Sequence, residues 1–258
     1  MSTWMMLSFS SNKLQKTRRQ FVSLTSFINS FFFVRQYKYK VTRIRNLKII
    51  ALLFGILNVE KVTAAILPDE TSIEVTYYVN GSASNASDSN SGAASSPFKS
   101  FRQGLYAAYK SNKRAKVYVY NGTYTEASQI SLSDQPDKTK LIVIEGQTAG
   151  SVKITAPNVA SALIYATPDK QNMVLRNLVF DGCKGTAFEI GRWEPVSSAR
   201  YVLIENCQFI NGGGTGLTVN TTRDVTIRNT RFHNNAGVGA FLTVRDASIS
   251  DCEFNNNQ

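Results

Sequence analysis

The chain has 258 residues, enough for one or two domains, and a formal net charge of +11. Residues 1–64 hold 11 Lys/Arg and one acid, Glu60, whereas the remainder holds 18 Lys/Arg and 17 Asp/Glu. Because a nucleic-acid-binding domain needs a basic stripe on its folded part, this distribution argues against a nucleic-acid partner. Three cysteines without CxxC spacing and a single histidine argue against a disulfide framework and a His-rich metal centre.

A basic leader comes first. Its apolar core, residues 49–57, has the length of a signal-peptide core and is short for a membrane span. Small residues around Ala64 suit cleavage by a signal peptidase. We predict that residues 1–64 direct secretion, so that the folded part is secreted or faces the outside of the cell. The alternative is an uncleaved membrane anchor at residues 47–64, which would be the only contact with a membrane.

Residues 65–76 are predicted to be a linker, and residues 77–258 the folded domain. Four N-x-[ST] sequons in the domain are candidate glycosylation sites in a secreted protein. Their asparagines are Asn80, Asn85, Asn121 and Asn220. A chain rich in Asn, Ser and Thr also forms such sequons by chance.

A short strand at residues 77–79 and a polar loop precede a predicted amphipathic helix. The helix is expected to begin at Ser96-Pro97-Phe98, with Pro in its first turn. Its apolar residues fall on one face and are Phe98, Phe101, Leu105 and Ala108. Since the first unit of a repeat array exposes an apolar edge, we expect this helix to cap the array that follows.

The repeat is the strongest feature of the sequence. Four segments align without gaps and begin at Met173, Val202, Val225 and Ala247, which are 29, 23 and 22 residues apart. Each segment is a short strand with an Asn or Asp at its fifth position. This spacing fits one coil of a β-solenoid; a propeller blade needs about 40 residues, and the leucine frame of a leucine-rich repeat is missing.

Equivalent positions of successive coils stack at the inter-strand spacing of about 4.8 Å. The repeat therefore predicts an all-β parallel β-helix with three columns. Leu175, Ile204, Ile227 and Ile249 form an inward aliphatic column; Phe180, Phe209, Phe232 and Phe254 an aromatic column; and Asn177, Asn206, Asn229 and Asp251 a column of turn residues. Side-chain hydrogen bonds can run along the last of these.

No second cap is visible after the last predicted strand, where the sequence reads Asn255-Asn256-Asn257-Gln258. An open edge is an aggregation hazard. We therefore expect a β-helix that is truncated at its C-terminal end, with further coils following in the full-length protein.

Three short motifs resemble the start of many secreted β-helix proteins. They are Tyr77-Tyr78-Val79, Ser87-Asp88-Ser89-Asn90-Ser91-Gly92 and Ser96-Pro97-Phe98-Lys99-Ser100. With the coils, residues 75–258 resemble the pectate-lyase-like superfamily of right-handed parallel β-helices. The resemblance implies a right-handed fold and a polysaccharide partner. A lyase of this type would imply a Lys or Arg base and Ca²⁺ held by several Asp or Glu residues.

One column of cations suits a substrate. Arg200, Arg223 and Arg245 each precede a strand by two residues, and guanidinium groups match carboxylates in geometry and charge. These three arginines are the predicted binding residues for an acidic polysaccharide.

Two further columns are interpreted as structural. Arg176, Glu205 and Arg228 alternate in sign and predict a surface ion-pair ladder. Asp181 and His233 lie two coils apart, about 10 Å by stacking, which is too far for a direct acid–base pair. No acidic cluster suited to Ca²⁺ is visible, so we predict no metal site and assign no catalytic residue.

Two functions remain open. The first is a secreted or surface β-helix that binds carbohydrate or serves in adhesion or structure, with no activity expected of this chain alone. The alternative is a polysaccharide lyase or uronate epimerase in the full-length protein. No cofactor is evident, and Ca²⁺ enters only if the protein is a lyase.

Overall fold

The computed structural model describes residues 5–7, 67–132, 140–166, 172–191 and 201–258. Within these ranges the chain forms a right-handed parallel β-helix with one short α-helix. The strands are β1 (Met5–Leu7), β2 (Val75–Val79), β3 (Ala115–Val119), β4 (Gly122–Thr125), β5 (Ile130–Leu132), β6 (Leu141–Gly146), β7 (Val152–Thr155), β8 (Ile164–Ala166), β9 (Asn172–Arg176), β10 (Leu178–Asp181), β11 (Phe188–Ile190), β12 (Tyr201–Glu205), β13 (Gln208–Ile210), β14 (Leu217–Arg228), β15 (Arg231–His233), β16 (Ala240–Ser250) and β17 (Glu253–Asn255); the helix is α1 (Phe101–Lys110).

The strands stack in three columns. The first column contains β2, β3, β6, β9 and β12; the second contains β4, β7, β10, β13, β15 and β17; the third contains β5, β8 and β11. The long strands β14 and β16 run from the third column into the first, so these two columns form one sheet. Strand β1 pairs antiparallel with the first residues of β16.

The aliphatic and aromatic columns of the prediction are confirmed. Leu175, Ile204 and Ile227 pair in register and are fully buried. The phenylalanine rings stack nearly parallel, with centroid separations of 5.0, 5.2 and 4.8 Å along the column. The in-register pairing follows from the repeat, because each coil returns an equivalent residue to the same place.

The predicted turn column is also confirmed. Asn177, Asn206, Asn229 and Asp251 all have positive φ, between 49° and 61°. This left-handed region is costly for most residues, but Asn and Asp tolerate it. Asn206 Nδ2 donates to Asn177 Oδ1 at 3.3 Å.

A second asparagine column, which was not predicted, lies after the second strand column. Asn211, Asn234 and Asn256 have φ of 55°, 57° and 53°. Each side-chain amide donates to the preceding coil, to Asp181 Oδ1 at 2.9 Å, Asn211 Oδ1 at 3.2 Å and Asn234 Oδ1 at 3.1 Å. The signal was present in the sequence, since each of these asparagines follows a phenylalanine of the aromatic column by two residues.

Helix α1 begins later than predicted. Phe98 donates to Tyr78 O and accepts from Asn80 N, both at 2.9 Å, so it extends along β2 instead of starting the helix. Ser100 is the N-cap, and its Oγ accepts from Gln103 N at 3.2 Å. The buried face packs against β2 and β3 and carries Phe101, Gly104, Leu105 and Ala108. Its role as a cap stays a prediction.

The segment predicted as a linker packs against the outer face of the first column. Glu70 accepts two hydrogen bonds from Arg176, at 2.7 and 3.0 Å. Ile73 covers a second apolar cluster on that face, formed by Leu141, Val143, Val174 and Leu203. Strand β2 begins at Val75, two residues before the predicted domain boundary.

Residues 1–4 and 8–64 of the leader lie outside the described residues, and so does the predicted cleavage or anchor segment at residues 47–64. In the ranges that are described, no helix is long and apolar enough to cross a membrane.

Candidate functional site

The ion-pair ladder on the outer face of the first column is confirmed and is longer than predicted. Glu205 binds Arg176 Nε at 2.5 Å and Arg228 Nη2 at 2.5 Å. Arg176 also binds Glu145 at 3.1 Å, and Lys116 binds the same carboxylate at 2.8 Å. Every charged side chain of the ladder contacts one of the opposite charge, which suits a structural role.

Burial by itself raises the pKa of Glu205, but the hydrogen bonds and charges of Arg176 and Arg228 outweigh it, and the pKa is lowered. Glu205 is therefore ionised, and an arginine binds each of its carboxylate oxygens. It is a poor proton donor.

A different arrangement lies on the outer face of the third column. One row contains Tyr165, Glu189, Thr218 and Phe241, paired in register on β8, β11, β14 and β16. The next row contains Asn220 and Thr243. Inward residues alternate with the first row along each strand, so that row faces away from the core, and Asn220 and Thr243 lie almost fully buried beside it. We call these six residues the third-column face.

The buried part of this face, which we call its floor, is formed by the polar residues Asn220 and Thr243. Asn220 is 1% exposed and Thr243 is 6% exposed. Neither the amide of Asn220 nor the hydroxyl of Thr243 has a hydrogen-bond partner among the described residues. Leaving a buried polar group unpaired costs about 1–3 kcal/mol, and such groups are rare in folded proteins. Stability of the fold therefore does not explain why these two buried positions carry polar side chains.

Gly191 completes the floor. It occupies the coil before Asn220 with φ of +90°, and a Cβ there would collide with the backbone oxygen of Asn220. Only glycine fits both constraints.

Glu189 stands beside this floor and is half-buried. It has no ion pair or hydrogen bond among the described residues, and burial raises its pKa. The face thus combines an amide, hydroxyl groups and a carboxyl group that takes up a proton readily, with the rings of Tyr165 and Phe241 at its two ends. Donors and acceptors of this kind suit a ligand rich in hydroxyl groups.

Two of the three predicted substrate-binding arginines lie next to this face. Arg245 is exposed in β16, two residues after Thr243. Thr222 pairs with Val244 and Asp224 with Asp246, so Arg223 takes the equivalent position on the neighbouring coil. Arg200 lies outside the described residues. Binding of a substrate by these arginines stays a prediction.

The sequons differ in their surroundings. Asn85 and Asn121 are exposed and Asn80 is half-buried, so all three remain candidate glycosylation sites. The side chain of Asn220 is buried on the third-column face, and its glycosylation stays a prediction.

The remaining candidate groups have structural surroundings. Asp181 and His233 are two coils apart in register through Ile210, and Asp181 instead binds Lys153 at 2.7 Å. Burial lowers the pKa of His233, which lies 3.5 Å from a Glu253 oxygen.

All three cysteines are buried and unbridged, and burial raises the pKa of each thiol, that of Cys252 to about 11. A thiol that stays protonated at neutral pH is unreactive. Cys207 and Cys252 instead donate to the backbone oxygens of Glu205 and Ser250, at 3.3 and 3.2 Å.

A calcium site does not fit the described residues. No group of three or more His, Cys, Asp or Glu side chains is arranged there to hold a metal ion, whereas Ca²⁺ takes six to eight oxygen ligands in general.

The pKa of Glu205 is lowered and that of Glu189 is raised, which gives a prediction about how stability depends on pH. Glu205→Gln should lower the free energy of unfolding by about 2 kcal/mol at pH 7. Because the folded pKa of Glu205 is lowered, this loss should begin to shrink as the pH falls below 4.5, where the unfolded chain takes up a proton. It should vanish below the lowered pKa, where the folded wild type also loses the charge. The measurement is urea denaturation of both proteins from pH 3 to pH 8.

Glu189→Gln is the matched comparison, with the opposite sign. The folded pKa of Glu189 is raised, so ionisation costs stability as the pH rises above 4.5. The variant should equal the wild type at acidic pH and exceed it slightly at pH 7. A variant that is less stable than the wild type at pH 7 would show that Glu189 has a stabilising partner.

The match to a family model agrees with the fold. Residues 195–258 match the family described as "Right handed beta helix region". No curated protein matches the sequence. Among solved structures, a rhamnogalacturonan lyase aligns with a TM-score of 0.27 and 12% identity, over 69% of this chain and 62% of the lyase chain. The register of the strands and the family match over residues 195–258 together identify the described part of the chain as a right-handed parallel β-helix.

Proposed function

We propose that this chain is a carbohydrate-binding β-helix of a secreted or surface protein, and that the third-column face holds the saccharide. One observation carries the proposal: the amide of Asn220 and the hydroxyl of Thr243 are buried and have no partner in the described part of the chain. A bound sugar hydroxyl would supply the missing hydrogen bonds.

Neighbouring groups favour an acidic polysaccharide. Arg245 is exposed beside the face and can pair with a uronate carboxylate. Glu189 repels a uronate when it is ionised and donates a hydrogen bond to it only when protonated, so binding of a uronate should strengthen as the pH falls. Tyr165 offers a ring face against which a sugar ring can pack.

The test is binding of polygalacturonate, alginate and chondroitin by the full chain, measured by isothermal titration calorimetry. The double variant Asn220→Leu/Thr243→Val should bind roughly 30- to 150-fold more weakly, because it loses two or three hydrogen bonds of about 1 kcal/mol each. Its unfolding midpoint should stay equal or rise, because two unpaired polar groups are removed.

Thr226→Val is the control, since Thr226 is equally buried, at 7% exposure, on the outer face of the first column. It should leave glycan binding unchanged. Wild-type affinity in the double variant, or no binding of any of the three glycans by the wild type, would refute the proposal.

The alternative function is a polysaccharide lyase or uronate epimerase in the full-length protein. The observation in its favour is an exposed arginine, Arg245, beside a face that suits a uronate. Incubation with the same three glycans, with and without Ca²⁺, should give no unsaturated-uronate absorbance from this chain. If the wild type gives this absorbance and Arg245→Ala abolishes it, the chain is catalytic and the binding proposal is wrong.

We also propose that the leader directs secretion and that α1 caps the first coil. The apolar core at residues 49–57 supports the first, and the buried face of α1 against β2 and β3 supports the second. N-terminal sequencing of the secreted protein should begin after Ala64.

A further inference from the structure

The turns between the first and second columns line a groove of about 340 Å³. Two rows of polar side chains form its walls. The turn row is Asn206, Asn229 and Asp251, and the strand row is Gln208, Arg231 and Glu253. We call this the first-turn groove. It is built from other strands than those that carry the third-column face.

The two asparagine columns of the molecule differ in their hydrogen bonds. The column after the second strands is continuous through Asn211, Asn234 and Asn256. Among the described residues, the column that enters the first-turn groove has two side-chain bonds, from Asn177 to Gly146 O at 3.1 Å and from Asn206 to Asn177 Oδ1 at 3.3 Å. Beyond Asn206, the side chains of Asn229 and Asp251 have no hydrogen-bond partner among the described residues.

Backbone conformation does not explain this difference. Asn229 and Asp251 have φ of 49° and 52°, close to the 57° and 53° of Asn234 and Asn256. Gln208, directly beside the open part of the column, also has an unpaired side-chain amide within the described ranges. Asn229 and Asp251 are exposed and Gln208 is half-buried, so three neighbouring polar groups are accessible to a ligand in one groove.

The rows repeat along the helix axis. Because successive coils lie about 4.8 Å apart, a linear molecule lying along the axis meets the same kind of group at each coil. Amides and carboxylates together donate to and accept from hydroxyl groups. A chain of sugar units is a ligand with hydroxyl groups at regular intervals.

The charge of the groove selects among glycans. Arg231 is paired with Glu253 at 3.3 Å, which leaves the carboxylate of Asp251 without a cation among the described residues. An acidic polysaccharide would meet like charge there, and like charges disfavour association. A neutral glycan meets no such penalty.

We propose that the first-turn groove is a second glycan site, which takes a neutral linear oligosaccharide lying along the axis of the β-helix. The site is independent of the third-column face. Asn229 and Gln208 hydrogen-bond to the sugar hydroxyls, and the charge of Asp251 excludes polyanionic chains.

The experiment measures binding of cellohexaose and of a linear galactan hexaose by the full chain, with polygalacturonate as the acidic probe. The variant Asn229→Gly/Gln208→Ala removes two free amides, and glycine accepts the positive φ of residue 229. We expect binding of a neutral hexaose to weaken about tenfold and binding of polygalacturonate to stay unchanged.

The matched control is Asn234→Gly, which makes the same backbone change in the continuous column outside the groove. It should bind both probes as the wild type does. The inference is wrong if neither neutral hexaose binds, or if the groove variant retains wild-type affinity. It is also wrong if Asn220→Leu/Thr243→Val abolishes binding of the neutral hexaose, because the ligand then occupies the third-column face.

Discussion

Phe209→Ala is expected to lower the free energy of unfolding by about 4 kcal/mol. Phe209 is fully buried and stacks on Phe180 at 5.0 Å and on Phe232 at 5.2 Å, with interplanar angles of 8° and 5°. Alanine removes both ring contacts and leaves a cavity between two coils that the backbone pairing holds apart. Equilibrium urea denaturation of the full chain measures the loss.

Phe254→Ala is the control for this prediction. Phe254 stacks on Phe232 at 4.8 Å but is only partly buried, in the last coil of the chain. Its loss should cost about half as much, since less apolar surface is removed from the core. Equal losses in the two variants would show that depth in the column does not set the stability.

Asn235→Ala is expected to lower the free energy of unfolding by about 3 kcal/mol, because it removes hydrogen bonds and not packing contacts. Asn235 is 2% exposed. Its Oδ1 accepts from Gly212 N at 3.1 Å, and its Nδ2 donates to Phe209 O at 2.9 Å and to Asn257 Oδ1 at 2.8 Å. Alanine leaves the partner groups buried without these bonds, and each such group costs about 1–3 kcal/mol.

The neighbouring residue supplies the control. Asn234 is exposed with φ of 57°, a conformation that glycine adopts without strain. Asn234→Gly should therefore cost about 1 kcal/mol or less. Hydrogen exchange of the Gly212 amide gives a local readout, and its protection should fall in Asn235→Ala alone. Similar losses for both variants would contradict a special role for the buried asparagine.

Much of this architecture was predictable because a solenoid converts a period in the sequence into neighbours in space. Phe180, Phe209 and Phe232 had to stack once their segments aligned, and Asn177 and Asn206 had to meet at the turn. The sign alternation of Arg176, Glu205 and Arg228 became an ion-pair ladder for the same reason. The second asparagine column obeys the same period.

The third-column face was not predictable in this way. Glu189, Asn220 and Thr243 lie outside the aligned segments, and whether they face the core depends on strand β14 passing through a corner with a register shift at Asn220. Their importance comes from what they lack, namely partners in the described structure. A sequence shows which residues are polar, but not which polar groups stay unpaired.

Contacts between distant segments were equally hidden. Glu70 meets Arg176 across 106 positions of the chain, and Phe98 follows the edge of β2 before the helix can begin. The sequence alone determined the coil, its register and its stacked columns, because these depend on residues one repeat apart. Only the tertiary structure decided where the helix starts and which polar groups remain free, because burial and pairing depend on all neighbours at once.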